Sequence, residues 1–316
     1  MPYHLIPGEP VPAGVRRIVC EEMESAARQL SGQGDPGRDA AIHEARKSLK
    51  KIRGALRLMR PEIDPVYRLE NHWFRDAGLR LSRFRDAGVM IETFDALREK
   101  YGAELGRNRL ARIRHGLLAR KQQAEAQGNI EAVLGRIAAS LLRRKRRVGA
   151  WPLAATGFAA IAPGLEASFR RGRKALARVR QDPSAANYHE WRKRVKDHWY
   201  HVRLLEGLWD SSMHAYEKRL KDLETWLGED HNLVVLEEQV KADPEFYGSA
   251  AQIALLTKLT GKYQNELREL ALTAGHHIYG CKPRQFSRRI RHLWDAWQTH
   301  EDGRPKAAVL HVAASP

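Results

Sequence analysis

His43-Glu44-Ala45-Arg46-Lys47-Ser48-Leu49-Lys50 and His189-Glu190-Trp191-Arg192-Lys193-Arg194-Val195-Lys196 decide the fold. They stand 146 residues apart, and Arg57-Leu58 returns at the same offset as Arg203-Leu204. Through the first stretch run Ile42, Ala45, Leu49, Ile52, Leu56 and Met59, spaced three and four residues apart. That spacing is the narrow apolar seam of a helix facing a bundle. The same offset gives Tyr188, Trp191, Val195, His198, Val202 and Leu205 in the second. A weaker echo, offset by 144, pairs Arg85-Asp86-Ala87-Gly88-Val89 with Glu229-Asp230-His231-Asn232-Leu233. An internal repeat of this extent makes the chain two related halves.

One residue round from the first seam lie His43, Arg46, Lys47, Lys50, Arg53 and Arg57. At ~1.5 Å per residue they form a cationic stripe roughly 21 Å long. Its counterpart carries His189, Arg192, Lys193, Lys196 and Arg203. Between His43 and Arg60 the only acid is Glu44. Like charges at i,i+4 cost ~0.2–0.5 kcal/mol per pair, so such a stripe calls for an external anion or the carboxylates of a neighbouring helix. The repeat predicts that both stripes converge on one site.

Outward from these stretches, strand signals are nearly absent and spacings of three and four dominate. Helices are expected over 13–31, 38–60, 65–100, 105–127, 129–147, 158–181, 184–207, 211–241, 245–277 and 284–299. Asp64, Asp182 and Asp243 each precede a proline, the pattern of an N-cap followed by a first-turn proline. Gly149-Ala150-Trp151-Pro152 breaks the chain near its middle, just after the basic run Arg143–Arg147. That run reads as a solvated helix end, with a ligand contact as the alternative. The fold class is therefore all-α, with halves over 10–148 and 155–300 and a tail over 301–316.

Composition narrows the function. The 316 residues hold 55 Lys+Arg against 38 Asp+Glu, a formal charge of +17. A 43% hydrophobic content excludes a mainly disordered polymer. No stretch approaches the ~18 apolar residues of a membrane span, and residues 1–12 lack a secretory pattern. Cys20 and Cys281 make neither a disulfide framework nor a zinc motif. A cytoplasmic protein with no membrane association is expected. Arginine outnumbers lysine, and its planar fork suits phosphate oxygens.

The doubled His-Glu-x-Arg-Lys-x-x-Lys element resembles the namesake motif of the CHAD family, the conserved histidine α-helical domain. Leu81-Ser82-x-x-Arg85-Asp86-x-x-Val89, Phe169-Arg170-Arg171-Gly172-Arg173, Trp226-Leu227-Gly228-Glu229-Asp230, Lys282-Pro283-x-x-Phe286 and Trp294-x-x-Trp297 agree with it. The resemblance covers roughly residues 10–300. It implies two pseudo-symmetric antiparallel four-helix bundles from an internal duplication, with a basic groove that binds inorganic polyphosphate. Relatives often carry a triphosphate-tunnel domain, whose ExExK motif is missing here. In two departures, His198 replaces Ile52 on the seam and Glu229 replaces Arg85, so the second half is expected to bring less positive charge.

Polyphosphate has dense charge and no bases, so a binder needs Arg and Lys along a path rather than base-reading groups. The expected contacts are His43, Arg46, Lys47, Lys50, Arg53, Arg57, Arg112, Arg170, Arg173, His189, Arg192, Lys193, Lys196 and Arg203. Further donors are Arg107, Arg109, Arg114, Arg120 and Lys121 in one acid-free stretch, and Arg171, Lys174, Arg178 and Arg180 in another. For any one of them the plain reading is a solvated helix face. The histidines are either phosphate donors or packing residues. Asp86 and Asp230 are expected to be internal partners of the basic helices. Trp191, Trp199, Trp209, Trp226, Trp294 and Trp297 are read as core. No nucleotide, hydrolase or HExxH motif occurs, so no catalysis, cofactor or metal is expected. The localisation expected is cytoplasmic, on polyphosphate granules. General nucleic-acid binding is the alternative, with metal-dependent polyphosphate hydrolysis behind it.

Overall fold

The computed structural model describes residues 3–32, 37–102, 109–126, 129–208 and 211–299. Arg107, Trp209 and the expected tail over 301–316 lie outside them. Each apolar seam becomes one side of a helix. The first half runs α1 (Val11–Leu30), α2 (Arg38–Leu58), α3 (Asp64–Lys100), α4 (Ala111–Ala126) and α5 (Ile130–Lys145). After a 3-10 turn at Val148–Ala150 come α6 (Gly157–Gln181), α7 (Ala185–Leu204) and α8 (Ser211–Ala242). A one-turn α9 (Pro244–Tyr247), α10 (Ala250–Ile278) and α11 (Pro283–Thr299) complete the fold. No strand occurs among the described residues.

Two differences from the sequence reading have local causes. The helix expected over 245–277 is broken at Gly248, and α10 restarts with a capping box in which Ser249 and Gln252 satisfy each other's backbone N–H groups. Of the three Asp-Pro pairs, only Asp243 takes an N-cap position, without a side-chain bond. Asp64 already belongs to α3, while Asp182 ends α6 and accepts bonds from Ser184 and Asn187.

Both seams are fully inside. Ile42, Ala45, Leu49, Ile52, Leu56 and Met59 are at most 1% exposed, and Trp191, Val195, His198 and Val202 are at 0%. Burying a side chain of this size stabilises by ~1.5–3 kcal/mol. The main core joins α1, α2, α5, α6, α7 and α11 with the first parts of α3 and α8 and the last turns of α10. A second core joins the later parts of α3 and α8, through Phe94 and Leu236, with α4, α9 and α10. Each core takes residues from before 148 and from after 155. The neighbour pattern recurs: α2 packs on α1 and α3 as α7 packs on α6 and α8, and α5 lies on α1 as α11 lies on α6.

The halves meet along several helices, among them α2 and α7. A Cβ on Gly54 would stand 2.8 Å from Cβ of Tyr200, its partner at the 146-residue offset, so only glycine permits this approach. The next repeat-related pair one turn back, Lys50 and Lys196, also lie near enough for mutual repulsion. With Gly54 against Tyr200 and Lys50 within Coulombic reach of Lys196, matching turns of the two helices lie at the same level, and the cationic faces beside them come together at this contact.

Candidate functional site

Four stripe residues, Arg46 and Lys50 from α2 with Arg192 and Lys196 from α7, form a cluster at this contact. The seams hold their helices against the core, which leaves the faces next to the seams turned towards each other. Arg46 pairs with Asp86 on α3 at 3.4 Å, and Lys196 with Glu224 on α8 at 2.7 Å. Glu224 also takes Lys221 at 2.8 Å. Burial opposes the charged form of Glu224, but Lys196 and Lys221 outweigh it and hold its pKa at about 2. Lys50 and Arg192 have no carboxylate partner among the described residues. Burial, reinforced by Lys196, Arg46 and Arg192, brings the Lys50 pKa down to about 7. Burial also lowers that of Arg192, whose Nε has no hydrogen-bond partner.

A desolvated cation without a counter-charge is costly. Here two cations without ion pairs of their own stand side by side, with Glu224 and Asp230 only partly offsetting their desolvation. The site thus stores repulsion that an anion placed between the helices would relieve, and its unused donors are those that a phosphate oxygen accepts.

A second basic group flanks the first, further along α2. Arg57 and Arg194 share Asp197, at 2.8 and 3.3 Å. Arg53 donates its Nε to Asn71 at 3.1 Å, and burial with Arg57 lowers its pKa to about 10. Arg171, on α6, joins them: burial lowers its pKa against the pull of Asp197, and its Nε is unpartnered. Arg53 and Arg57 are expected in the site from the sequence and Arg171 among the further donors, whereas Arg194 and Asp197 carry no such expectation. Asp197, the acid that offsets this group, immediately follows Lys196 in the sequence.

The remaining expected contacts are dispersed. Lys47 and Lys193 are exposed and held by Glu44 and Glu190 on their own helices. Arg203 covers the rings of Trp199 and Tyr3 at 5.2 and 5.7 Å. Arg112 takes no part in the cluster; it is exposed and donates to the Glu245 carbonyl at 2.8 Å. Arg170 and Arg173 line a separate cavity between α6 and α11. Of the basic run, Arg144 is pinned by Glu70 and Lys145 by Glu24.

The two motif histidines differ. His43 is exposed at the open end of its stripe; partial burial and then Arg85 lower its pKa. His189 packs on His231 with ring centroids 4.1 Å apart, its Nδ1 is unpartnered, and burial followed by Lys193 lowers its pKa. Both shifts favour the neutral ring. His198 is a core residue, bonded to the Tyr216 hydroxyl at 2.7 Å, and burial pushes its pKa down to about 3. Asp86 is the internal partner expected for the basic helices. Asp230 instead pairs with Arg268 on α10 at 2.7 Å. No group of three or more metal-ligating side chains occurs among the described residues.

With this geometry in hand, comparison with known proteins adds a family. A family model described as the CHAD domain matches residues 21–241. The fold is similar to the crystal structure of the CHAD domain from the plant Ricinus communis, at 22% identity and a TM-score of 0.58, covering 88% of this chain and 94% of that one. No curated protein matches the sequence.

Proposed function

The chain belongs to the CHAD family, which is associated with polyphosphate binding in general, and from that premise we propose that it binds inorganic polyphosphate between α2 and α7 without acting on it chemically. The observation that carries the reading is the pair Lys50 and Arg192, half-buried side by side and without an ion pair of their own among the described residues. The ion pairs of Arg46 and Lys196 hold the frame, and the two free cations meet the polyanion. Arg53, Arg57 and Arg171 extend the path along α2. The same reading takes the halves as pseudo-symmetric copies of one antiparallel four-helix bundle, supported by the recurring neighbour pattern. It places the protein in the cytoplasm, on polyphosphate granules, with nucleic acid as a secondary partner.

The test is binding of long-chain polyphosphate at near-physiological salt, for the wild type and for Lys50→Met with Arg192→Met. These variants remove charge and break no ion pair. Affinity should fall at least tenfold while helical content stays constant, and duplex DNA at equal phosphate concentration should not displace the polymer. Unchanged affinity in the double variant would overturn the site. Displacement by DNA would make the protein a general polyanion binder.

A further inference from the structure

We infer a second polyphosphate site, in the cavity between α6 and the start of α11, that makes the protein bivalent and able to bridge two segments of the polymer. The inference takes its ligand class from the proposed function and its location from separate residues. The cavity, of about 560 Å³, is lined by Arg170, Arg173, Lys282, Arg284 and Arg288. Its one lining acid is Glu166, already bound to Arg170 at 2.6 Å. The side chains of the other four cations, all exposed, have no ion pair or hydrogen bond among the described residues, so four unneutralised charges rim one concavity.

The arrangement is built, not a chance meeting of surface arginines. Phe169 and Phe286 stack with centroids 4.5 Å apart and planes 14° from parallel. Gly172 lets Tyr279 come closer than any Cβ would allow, since one there would stand 2.5 Å from its ring. The first contact fixes α6 against the start of α11 and the second against the end of α10 just before it, and the cations flank them: Arg170 and Arg173 beside Phe169 and Gly172, Lys282, Arg284 and Arg288 around Phe286. Two segments more than a hundred residues apart thus present their charge to one place.

The cavity is distinct from the α2–α7 cluster. His198 on α7 faces Phe169 and Phe286, at 5.5 and 5.1 Å between ring centroids. Lys196, two residues earlier, points about 200° away round the helix, at 3.6 residues per turn. The aromatic layer therefore lies between the two sites. A chain too short to pass round the molecule would occupy one site at a time, whereas long chains would be linked to one another.

Calorimetric titration with a short polyphosphate should give two bound chains per protein. Arg173→Glu with Arg288→Glu should reduce this to one, and so should Lys50→Met with Arg192→Met. Light scattering with long-chain polyphosphate should show cross-linked assemblies with wild type and none with either double variant, although each still binds. Arg173→Gln with Arg288→Gln, which removes charge without reversing it, should have the same effect. One chain per wild-type protein, insensitive to Arg173 and Arg288, would overturn the second site and leave the first standing. Loss of all binding in the Arg173/Arg288 variants, with none in the Lys50/Arg192 variant, would instead remove the α2–α7 site and keep this cavity.

Discussion

The two stripes are copies that use their charges differently. In the first half Arg46 is paired, with Asp86, and Lys50 is free; in the second Lys196 is paired, with Glu224, and Arg192 is free. The cause lies on the helices behind them. At the 144-residue offset Glu224 corresponds to Arg80, so α3 offers Lys50 no acid where α8 offers one to Lys196. Asp230 corresponds to Asp86 but is taken by Arg268, which leaves Arg192 unpaired. Each half leaves a different cation without an ion pair. As a result the two unpaired cations, one Lys and one Arg, stand next to each other across the contact. A duplicated bundle with both partners kept would have neutralised its own site.

The strongest way to break this asymmetry is Glu224→Gln. It strips the counter-charge from Lys196 and Lys221 and leaves Lys196 buried among Lys50 and Arg192. Removing one member of a buried pair costs ~3–5 kcal/mol, which urea unfolding will read as a lower midpoint. The added field should at the same time tighten polyphosphate binding at low salt. Unchanged stability would mean that Glu224 does not hold the frame.

A sharper contrast comes from the lysines. Lys50 carries a proton less readily in the folded than in the unfolded chain. Its penalty on stability is therefore full below about pH 7 and is relieved as pH rises towards the ordinary lysine value of ~10.4. In that window stability should climb by up to ~1.4 kcal/mol per pH unit from this group. Lys50→Met should remove that slope and stabilise the protein at pH 7, whereas Lys196→Met, which leaves Glu224 with Lys221 alone, should destabilise it by ~1–2 kcal/mol. A bound polyanion draws the Lys50 pKa back up, so binding should take up protons above pH 7 and weaken as pH rises. Denaturation and binding followed across this range decide it; substitutions of the same sign at both lysines would erase the distinction between the halves.

How much of this was legible in the sequence depends on range. The seam from Ile42 to Met59 needs only its own helix period, and its mate at Tyr188 to Leu205 needs only the repeat; both proved to be core. That Arg46 and Lys50 stand beside Arg192 and Lys196 needed the contact between α2 and α7, since the repeat alone is compatible with one shared site or two. Which cation is free was not legible either, because Glu224, Asp230 and Arg268 reach the site from helices whose distance no spacing encodes. The Ser249-Ala250-Ala251-Gln252 capping box that splits 245–277 lay open to a local reading, as did the acid at Asp197. Arg171 entered the second basic group through the packing of α6, which the sequence does not specify.

The smallest expected effect is the most discriminating for the boundaries of the site. Arg112 belongs to the basic, acid-free stretch that composition alone would assign to the polymer, yet its guanidinium is exposed and bonded to the Glu245 carbonyl. If binding follows net charge, Arg112→Ala should weaken it about as much as losing any other arginine. If it follows cations gathered without ion pairs, at the α2–α7 contact and in the α6–α11 cavity, polyphosphate affinity should not change, because Arg112 stands apart from both and a lone exposed charge is screened by salt. Stability should fall by less than ~1 kcal/mol from the lost bond between α4 and α9. Equal losses of affinity in Arg112→Ala and Arg192→Met would replace the α2–α7 site by a diffuse basic surface, and the comparison between the halves would lose its functional meaning.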